Sequence, residues 1–224
     1  MTDHAPVVLG AREMRAEKRM ALSYSGPTKD ALLWEKAEKA KKGAVRCRLC
    51  AHYCIIPDGD VGLCLVRKNV GGALKTLNWG QADGLAVDPI EKKPFFHFKP
   101  GSDVLSFGTP GCNFRCLNCQ NWQLSQGMRV YGAASMSKKQ LTPKEIAGAA
   151  ARQNVDGMAY TYSEPTIFFE YAHDTIKECR KLQKKKEKNP LAGLGAGRPG
   201  LHSSFFHVFV SNGYFSKEML DLVA

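Results

Sequence analysis

The sequence has no apolar run approaching the ~20 residues that a helix needs to cross a bilayer. Met1 to Gly10 lack the apolar core and small-residue cleavage site of a secretory leader. Residues 1–28 show no clear hydrophobic periodicity, and Ser25-Gly26-Pro27 interrupts them, which predicts a mobile or loosely packed tail. Acidic residues are scarce: 21 Asp and Glu stand against 32 Lys and Arg, for a net charge of +11. That balance favours acidic partners such as RNA, DNA or an acidic protein, while the even spread of the basic residues is what solvated helix faces also produce. Together these absences predict a cytoplasmic protein in a reducing compartment, without a membrane partner.

Of the 224 residues, 44% are hydrophobic and 24% charged, an ordinary globular composition with length enough for one real core. The informative residue is cysteine. There are eight, and seven fall in two tight clusters. In a reducing compartment such clusters mean metal far more often than disulfides.

Lys29 to Lys42, rich in Ala, Leu, Glu and Lys, reads as a helix with Ala31, Leu32, Leu33 and Trp34 at its apolar start and Gly43 at its end. Residues 73–100 read as short strands and loops. Asp103–Gly108 reads as a buried strand. Thr142-Pro143-Lys144-Glu145 carries the signature of a capped helix start, and that helix runs to about Gln153. Gly157–Tyr162 is a second strand, and Pro165 opens a helix with Phe168, Tyr171, Thr175, Cys179 and Leu182 on one face. Lys184–Lys188 and the Gly/Pro-rich stretch to Gly200 read as a flexible surface loop. His207–Ser211 is a third strand, and Ser216–Ala224 a third helix. This repetition predicts an α/β protein with a parallel sheet.

The second cysteine cluster, Gly111-Cys112-Asn113-Phe114-Arg115-Cys116-Leu117-Asn118-Cys119, has the spacing Cys-x3-Cys-x2-Cys and no fourth cysteine nearby. Three thiolates can hold one corner of a four-iron cluster and leave one iron open, and an open position is where chemistry happens. The loop follows a strand, the end of a parallel sheet where active sites gather. A zinc site completed by His97 is the alternative. In the first cluster Cys47, Cys50, Cys54 and Cys64 supply four soft ligands in a short segment. Zinc would staple a small lobe; a second iron–sulfur cluster would relay electrons; His52 could compete as a ligand. Cys179, alone on an apolar helix face, reads as a buried thiol.

The spacing in the loop after the first strand resembles the signature of the radical S-adenosylmethionine (SAM) superfamily. Val45-Arg46-Cys47-Arg48-Leu49-Cys50, Gly62-Leu63-Cys64, Asp88-Pro89-Ile90-Glu91-Lys92-Lys93-Pro94, Gly111-Cys112-Asn113-Phe114 and Cys119-Gln120-Asn121-Trp122 occur in one order. The ordered set resembles the radical SAM enzyme of the AmmeMemoRadiSam system, a family related to pyruvate formate-lyase-activating enzymes. The resemblance covers roughly residues 30–183 and 207–224.

The resemblance implies a [4Fe-4S] cluster on Cys112, Cys116 and Cys119. SAM would bind its open iron and be cleaved to a 5′-deoxyadenosyl radical. It implies SAM contacts from Ser163 and Glu164, which stand where activases carry Gly-Gly-Glu-Pro, and from Asn212 in Ser211-Asn212-Gly213. The direct reading of Ser163 and Glu164 is a helix N-terminus, with Ser163 as cap. A flavodoxin- or ferredoxin-type reductant and a macromolecular substrate are further expectations, either a protein glycine or a nucleic acid. The family carries an aromatic before the third cysteine where this chain has Asn118. Residues 184–206 stand as an insertion.

The expected organisation is a flexible tail (1–28), a helix with a Cys-rich metal-binding lobe (29–100) and a radical SAM core (101–224). That core is expected to be a partial (βα) barrel truncated after about three units. The competing expectation is a metal-stapled binding module without catalysis.

Overall fold

The computed structural model describes residues 11–188, 201 and 204–223. Helix α1 spans Ala11–Leu22. Six short strands follow: β1 Lys29–Asp30, β2 Trp34–Lys36, β3 Val45–Cys47, β4 Ile55–Ile56, β5 Arg67–Val70 and β6 Ala73–Thr76. Next come β7 Asp83–Pro89, β8 Asp103–Gly108, the short helices α2 Trp122–Ser125 and α3 Gly127–Val130, and α4 Pro143–Gln153. The chain continues through β9 Gly157–Tyr160, α5 Phe169–Lys188, β10 Phe206–Phe209 and α6 Lys217–Val223.

The main sheet has the order β10-β9-β8-β7, with β8, β9 and β10 parallel and β7 antiparallel to β8. Two small antiparallel sheets, β1-β6-β5 and β2-β3-β4, precede it. Among the described residues the protein is therefore mixed α/β, and none of its sheets closes into a barrel.

Strand β9 is buried along its whole length and β8 along all but its first residue, as expected for parallel strands covered on both faces. Alternation sorts their side chains. Leu105, Phe107, Met158 and Tyr160 enter the core shared with α4 and α5, where the Phe107 ring centroid lies 5.5 Å from Tyr160 and 5.3 Å from Tyr171. Val104, Ala159 and Val208 enter a smaller cluster with Ile90 on the other face.

The capped start of α4 forms as expected. Thr142 Oγ1 accepts the Glu145 N–H at 3.2 Å, and Glu145 Oε2 accepts the Thr142 N–H at 2.7 Å. Pro165–Phe168 is a 3-10 turn leading into α5, and Phe168, Tyr171, Thr175 and Cys179 are buried in a row, with Leu182 packed beside them.

Four expectations change. The helix over 29–42 is absent. Lys29 and Asp30 pair instead with Thr76 and Lys75, Leu33 sits at φ +50°, and Trp34–Lys36 pairs with Val45–Cys47. Helix propensity is worth tenths of a kcal/mol per residue, and strand pairing with tertiary burial outweighs it. Of the expected tail, residues 1–10 lie outside the described residues, and the part described contains α1, whose Ala21 is fully buried in the main core and whose Lys18 pairs with Asp60 at 2.8 Å. The boundary expected at 100/101 falls inside the β7–β8 hairpin, so β7 belongs to the same sheet as β8. The basic run Lys184–Lys188 lies in α5 rather than in a loop, while residues 189–200 lie outside the described residues.

The small sheet β1-β6-β5 is joined to α5 by a buried ion pair. Arg67 Nη1 donates to Glu170 Oε1 at 2.6 Å and to Oε2 at 2.8 Å, with both side chains 2% exposed or less. Removing one partner strands the other charge, so Glu170→Ala should cost about 3–5 kcal/mol, measured from the denaturant midpoint at unchanged slope.

A second expected outcome concerns acid. His207 accepts from or donates to Tyr160 Oη at 3.1 Å, its Nε2 is buried without a partner, and burial, helped by the charge of Arg180, holds its pKa down at about 4. The unfolded chain binds this proton near pH 6.5, and the folded chain resists until about pH 4. Stability should therefore fall as pH drops from roughly 6.5 to 4, by at most about 3 kcal/mol. His207→Phe should flatten that part of the profile.

Candidate functional site

The carboxyl ends of β8, β9 and β10 lie side by side because the three strands are parallel and in register. The loop after β8 carries the three-cysteine motif. Gly111 opens it at φ +99°, where a Cβ would stand 2.7 Å from Val66 Cγ1 and 3.0 Å from the Cys64 carbonyl oxygen. The absence of a side chain thus lets this loop lie flush against the segment of the first cysteine cluster. Cys112 is buried, and its Sγ accepts the Phe114 N–H at 3.4 Å. Burial pushes its thiol pKa up, opposed by that N–H. Cys116 is exposed, and half-buried Cys119 has Sγ 3.2 Å from Ser125 Oγ. Among the described residues no three His, Cys, Asp or Glu side chains converge tightly enough to hold one ion. The loop gathers its thiols on one short segment without drawing them to a point.

Arg129, in α3, splints this loop from behind. Its Nη2 donates to the Cys112 carbonyl at 2.9 Å, Nη1 to the Leu63 carbonyl at 3.0 Å, and Nε to Gln126 Oε1 at 2.7 Å. Gln126 Nε2 in turn donates to the Phe114 carbonyl at 3.0 Å. Burial, with the nearby charge of Arg115, lowers the pKa of Arg129. Glu17 from α1 answers both cations, bidentate to Arg115 at 2.9 and 2.5 Å and 3.8 Å from Arg129.

Glu164, just beyond β9, is 3% exposed. Its Oε1 accepts from the Thr166 N–H at 3.0 Å, Thr166 Oγ1 at 2.5 Å and Ser211 Oγ at 2.7 Å, and its Oε2 accepts from the Asn212 N–H at 2.8 Å. Asn212 Nδ2 then donates to Asn113 Oδ1 at 3.0 Å. Ser163 Oγ donates to the Thr109 carbonyl at 2.7 Å. Ser163, Glu164 and Asn212 are therefore brought together, and the chain Glu164–Asn212–Asn113 ends beside Cys112. The cap of the Pro165 turn is Glu164 rather than Ser163, which bonds across to the loop after β8 instead.

An open cleft beside Cys119 is lined by polar and aromatic groups, among them Gln120, Asn121, Tyr131, Ser135 and Tyr162, together with the carboxylate residue Asp83. The Asp88–Pro94 motif buttresses it. Asp88 is buried, accepts from Lys92 at 2.6 Å, Lys93 at 2.7 Å and the Tyr162 hydroxyl at 2.9 Å, and its carboxyl is held far below the usual range by these donors against burial. Burial, with the Asp88 charge, raises Tyr162 to about 12.

The four cysteines of the first cluster line one small cavity together with Arg67, His52 and Asn113. Burial pushes Cys50 up to about 11 and raises Cys54 and Cys64 as well. His52 Nε2 is engaged 3.1 Å from the Asn113 carbonyl. His97 is exposed in the connection preceding β8, at the opposite end of that strand from Cys112. Cys179 is buried in α5, and burial raises it to about 12.

Arg129, Gln126, Asn113 and Glu17 were not among the expected site residues. Asn113 lies inside the quoted Gly-Cys-Asn-Phe motif, whereas Arg129 and Glu17 stand in segments whose local pattern carries no signal.

Glu164→Gln replaces one acceptor oxygen by an NH2 group facing donors. It should cost about 2 kcal/mol and raise the hydrogen-exchange rate of the Asn212 amide at least tenfold, read by exchange mass spectrometry.

No family model matches the chain, and no solved structure matches it. It is similar to the uncharacterized protein MJ0808 of Methanocaldococcus jannaschii, with 38% identity over 192 residues, which are 86% of this chain and 49% of that protein. The chain thus spans about half the length of the curated relative it matches.

Proposed function

We propose that this chain is a radical SAM oxidoreductase of the AmmeMemoRadiSam type, whose [4Fe-4S] cluster is held by Cys112, Cys116 and Cys119. The observation that carries this reading is the link at the sheet edge. The three-thiol loop after β8 is hydrogen-bonded through Asn113 to Asn212 beyond β10, and Asn212 to Glu164 beyond β9. Thiols and SAM-binding candidates thereby share one edge of a parallel sheet, where α/β proteins bind ligands.

The donor set suits the cluster. It consists of three soft thiols, with a backbone N–H already directed at Cys112 Sγ and a hydroxyl beside Cys119 Sγ. When bound, the reduced cluster and SAM supply the one-electron cleavage that yields methionine and a 5′-deoxyadenosyl radical. The chain's own residues position and shield. Arg129 holds the Cys112 carbonyl, burial of Cys112 excludes water, and Glu164 locks the loops after β9 and β10 together. The Gln120–Tyr162 cleft, with Asp83 in its lining, offers a polar surface to the rest of the ligand.

On this reading the sheet is part of a partial (βα) barrel and residues 29–100 form a Cys-rich lobe with a second metal, zinc or iron–sulfur. The protein is cytoplasmic, receives electrons from a flavodoxin or ferredoxin, and acts on a macromolecule, with a protein backbone glycine or a nucleic acid as the substrate classes. No described helix is long and apolar enough to cross a membrane. A metal-stapled binding module without catalysis is the second reading; it is favoured by the internal donors that already occupy Glu164.

EPR of the anaerobically reconstituted, reduced protein decides between them. A four-iron signal that changes shape on adding SAM is expected, and Cys116→Ala should abolish it. A signal indifferent to SAM, or one that survives in Cys116→Ala, would sink the assignment.

A further inference from the structure

The cavity of the first cysteine cluster contains two polar groups that nothing in the protein satisfies. Arg67 Nε and Asn113 Nδ2 are buried N–H donors without a partner, on side chains 1% and 5% exposed, and both residues line the cavity with Cys47, Cys50, Cys54 and Cys64. Leaving a buried donor unmade is costly, so two of them on residues lining the same four-cysteine cavity call for an acceptor there. Their surroundings agree. The charge of Arg67 lies near enough to Cys47 and Cys64 to interact with them. Two unsatisfied donors on residues that line a cavity with four cysteines describe a place built for negative charge on sulfur.

Four thiolates alone would repel one another, and a cation between them removes that repulsion. Size selects the cation. The space among the sulfurs admits little more than a water-sized sphere, which suits one ion and not a cube of four irons and four sulfides. Apart from His52, the rest of the lining is apolar, with Leu49, Ile56 and Ile167. Neutral thiols surround the cavity without converging; an ion supplies the attraction that draws them in.

We propose that Cys47, Cys50, Cys54 and Cys64 bind a single tetrahedral divalent ion of the zinc class, with Arg67 Nε and Asn113 Nδ2 as hydrogen-bond donors to its sulfurs. The inference rests on the reading of these cysteines as a metal site, and it settles that site's occupant. Loading exchanges four thiol protons, released to solvent, for one M2+, leaving a centre of net charge −2. Asn113 makes this ion part of the neighbouring site. It lines the cavity with its amide nitrogen buried and unpartnered, its Oδ1 accepts from Asn212 at 3.0 Å, and it follows Cys112 directly. The ion therefore seats the three-cysteine loop, and Asn113 is a positioning residue.

The test uses the full-length chain with Cys112, Cys116 and Cys119 replaced by Ala, purified from zinc-supplemented cells. One zinc per chain is expected by elemental analysis. Exchange for Co2+ should give the intense visible absorption of a tetrahedral cobalt–thiolate centre. Asn113→Ala in that background should weaken Co2+ binding about 10–100-fold in a chelator competition. Iron with sulfide in place of the single ion, or no bound metal, would overturn the proposal; unchanged Co2+ affinity in Asn113→Ala would overturn the donor assignment. If the triple variant does not fold, Cys116→Ser at an exposed position gives the same readouts. The three-thiol reading fails separately: in that case reconstituted wild type binds no more iron than the triple variant.

Discussion

Two charges buried together, Arg67 and Glu170, are the constraint on which the rest of the arrangement depends. The pair fastens β5 of the small sheets to the first turn of α5, and it also satisfies the backbone at Leu32, whose carbonyl accepts from Arg67 Nη2 at 2.7 Å and whose N–H donates to Glu170 at 2.6 Å. Neither charge would be tolerated there alone. Because Arg67 also lines the four-cysteine cavity, the same guanidinium that docks the N-terminal sheets sets the electrostatics around the first cysteine cluster.

From this docking the second cluster acquires its position. Gly111 passes against Val66 and the Cys64 carbonyl, and Arg129 bonds to carbonyls on both sides of that contact, at Leu63 and Cys112. The two cysteine clusters are therefore neighbours in space although nearly fifty residues separate Cys64 from Cys112. A loop so braced needs little reorganisation to receive a ligand, which is what a site of fixed geometry requires.

Glu164 illustrates how one side chain serves two purposes. As the cap of the Pro165 turn it satisfies the Thr166 amide, and as a buried acceptor it gathers Ser211 and Asn212 from the next strand. Charge-assisted bonds to buried carboxylates are strong, so Glu164 ties the loops after β9 and β10 together. The cost is that the carboxylate has little capacity left for an external ammonium group.

Strands β8 and β9, helix α4 with its capping box and the buried face of α5 were legible in the sequence, because each depends on local signals: continuous apolar runs, Thr-Pro-x-Glu, helical spacing. The cysteine motifs were legible for the same reason. What only the tertiary structure decided depends on distant pairing. The Ala- and Lys-rich segment after Lys29 is strand and turn, since β6 and β3 offer it hydrogen bonds that its helix propensity cannot match. Helix α1 owes its place to the core that receives Ala21 and to Asp60, which pairs with Lys18. Arg129, Glu17 and the orphaned amide of Asn113 carry their meaning only once the two clusters meet, because a hydrogen-bond partner sixty residues away leaves no trace in local pattern.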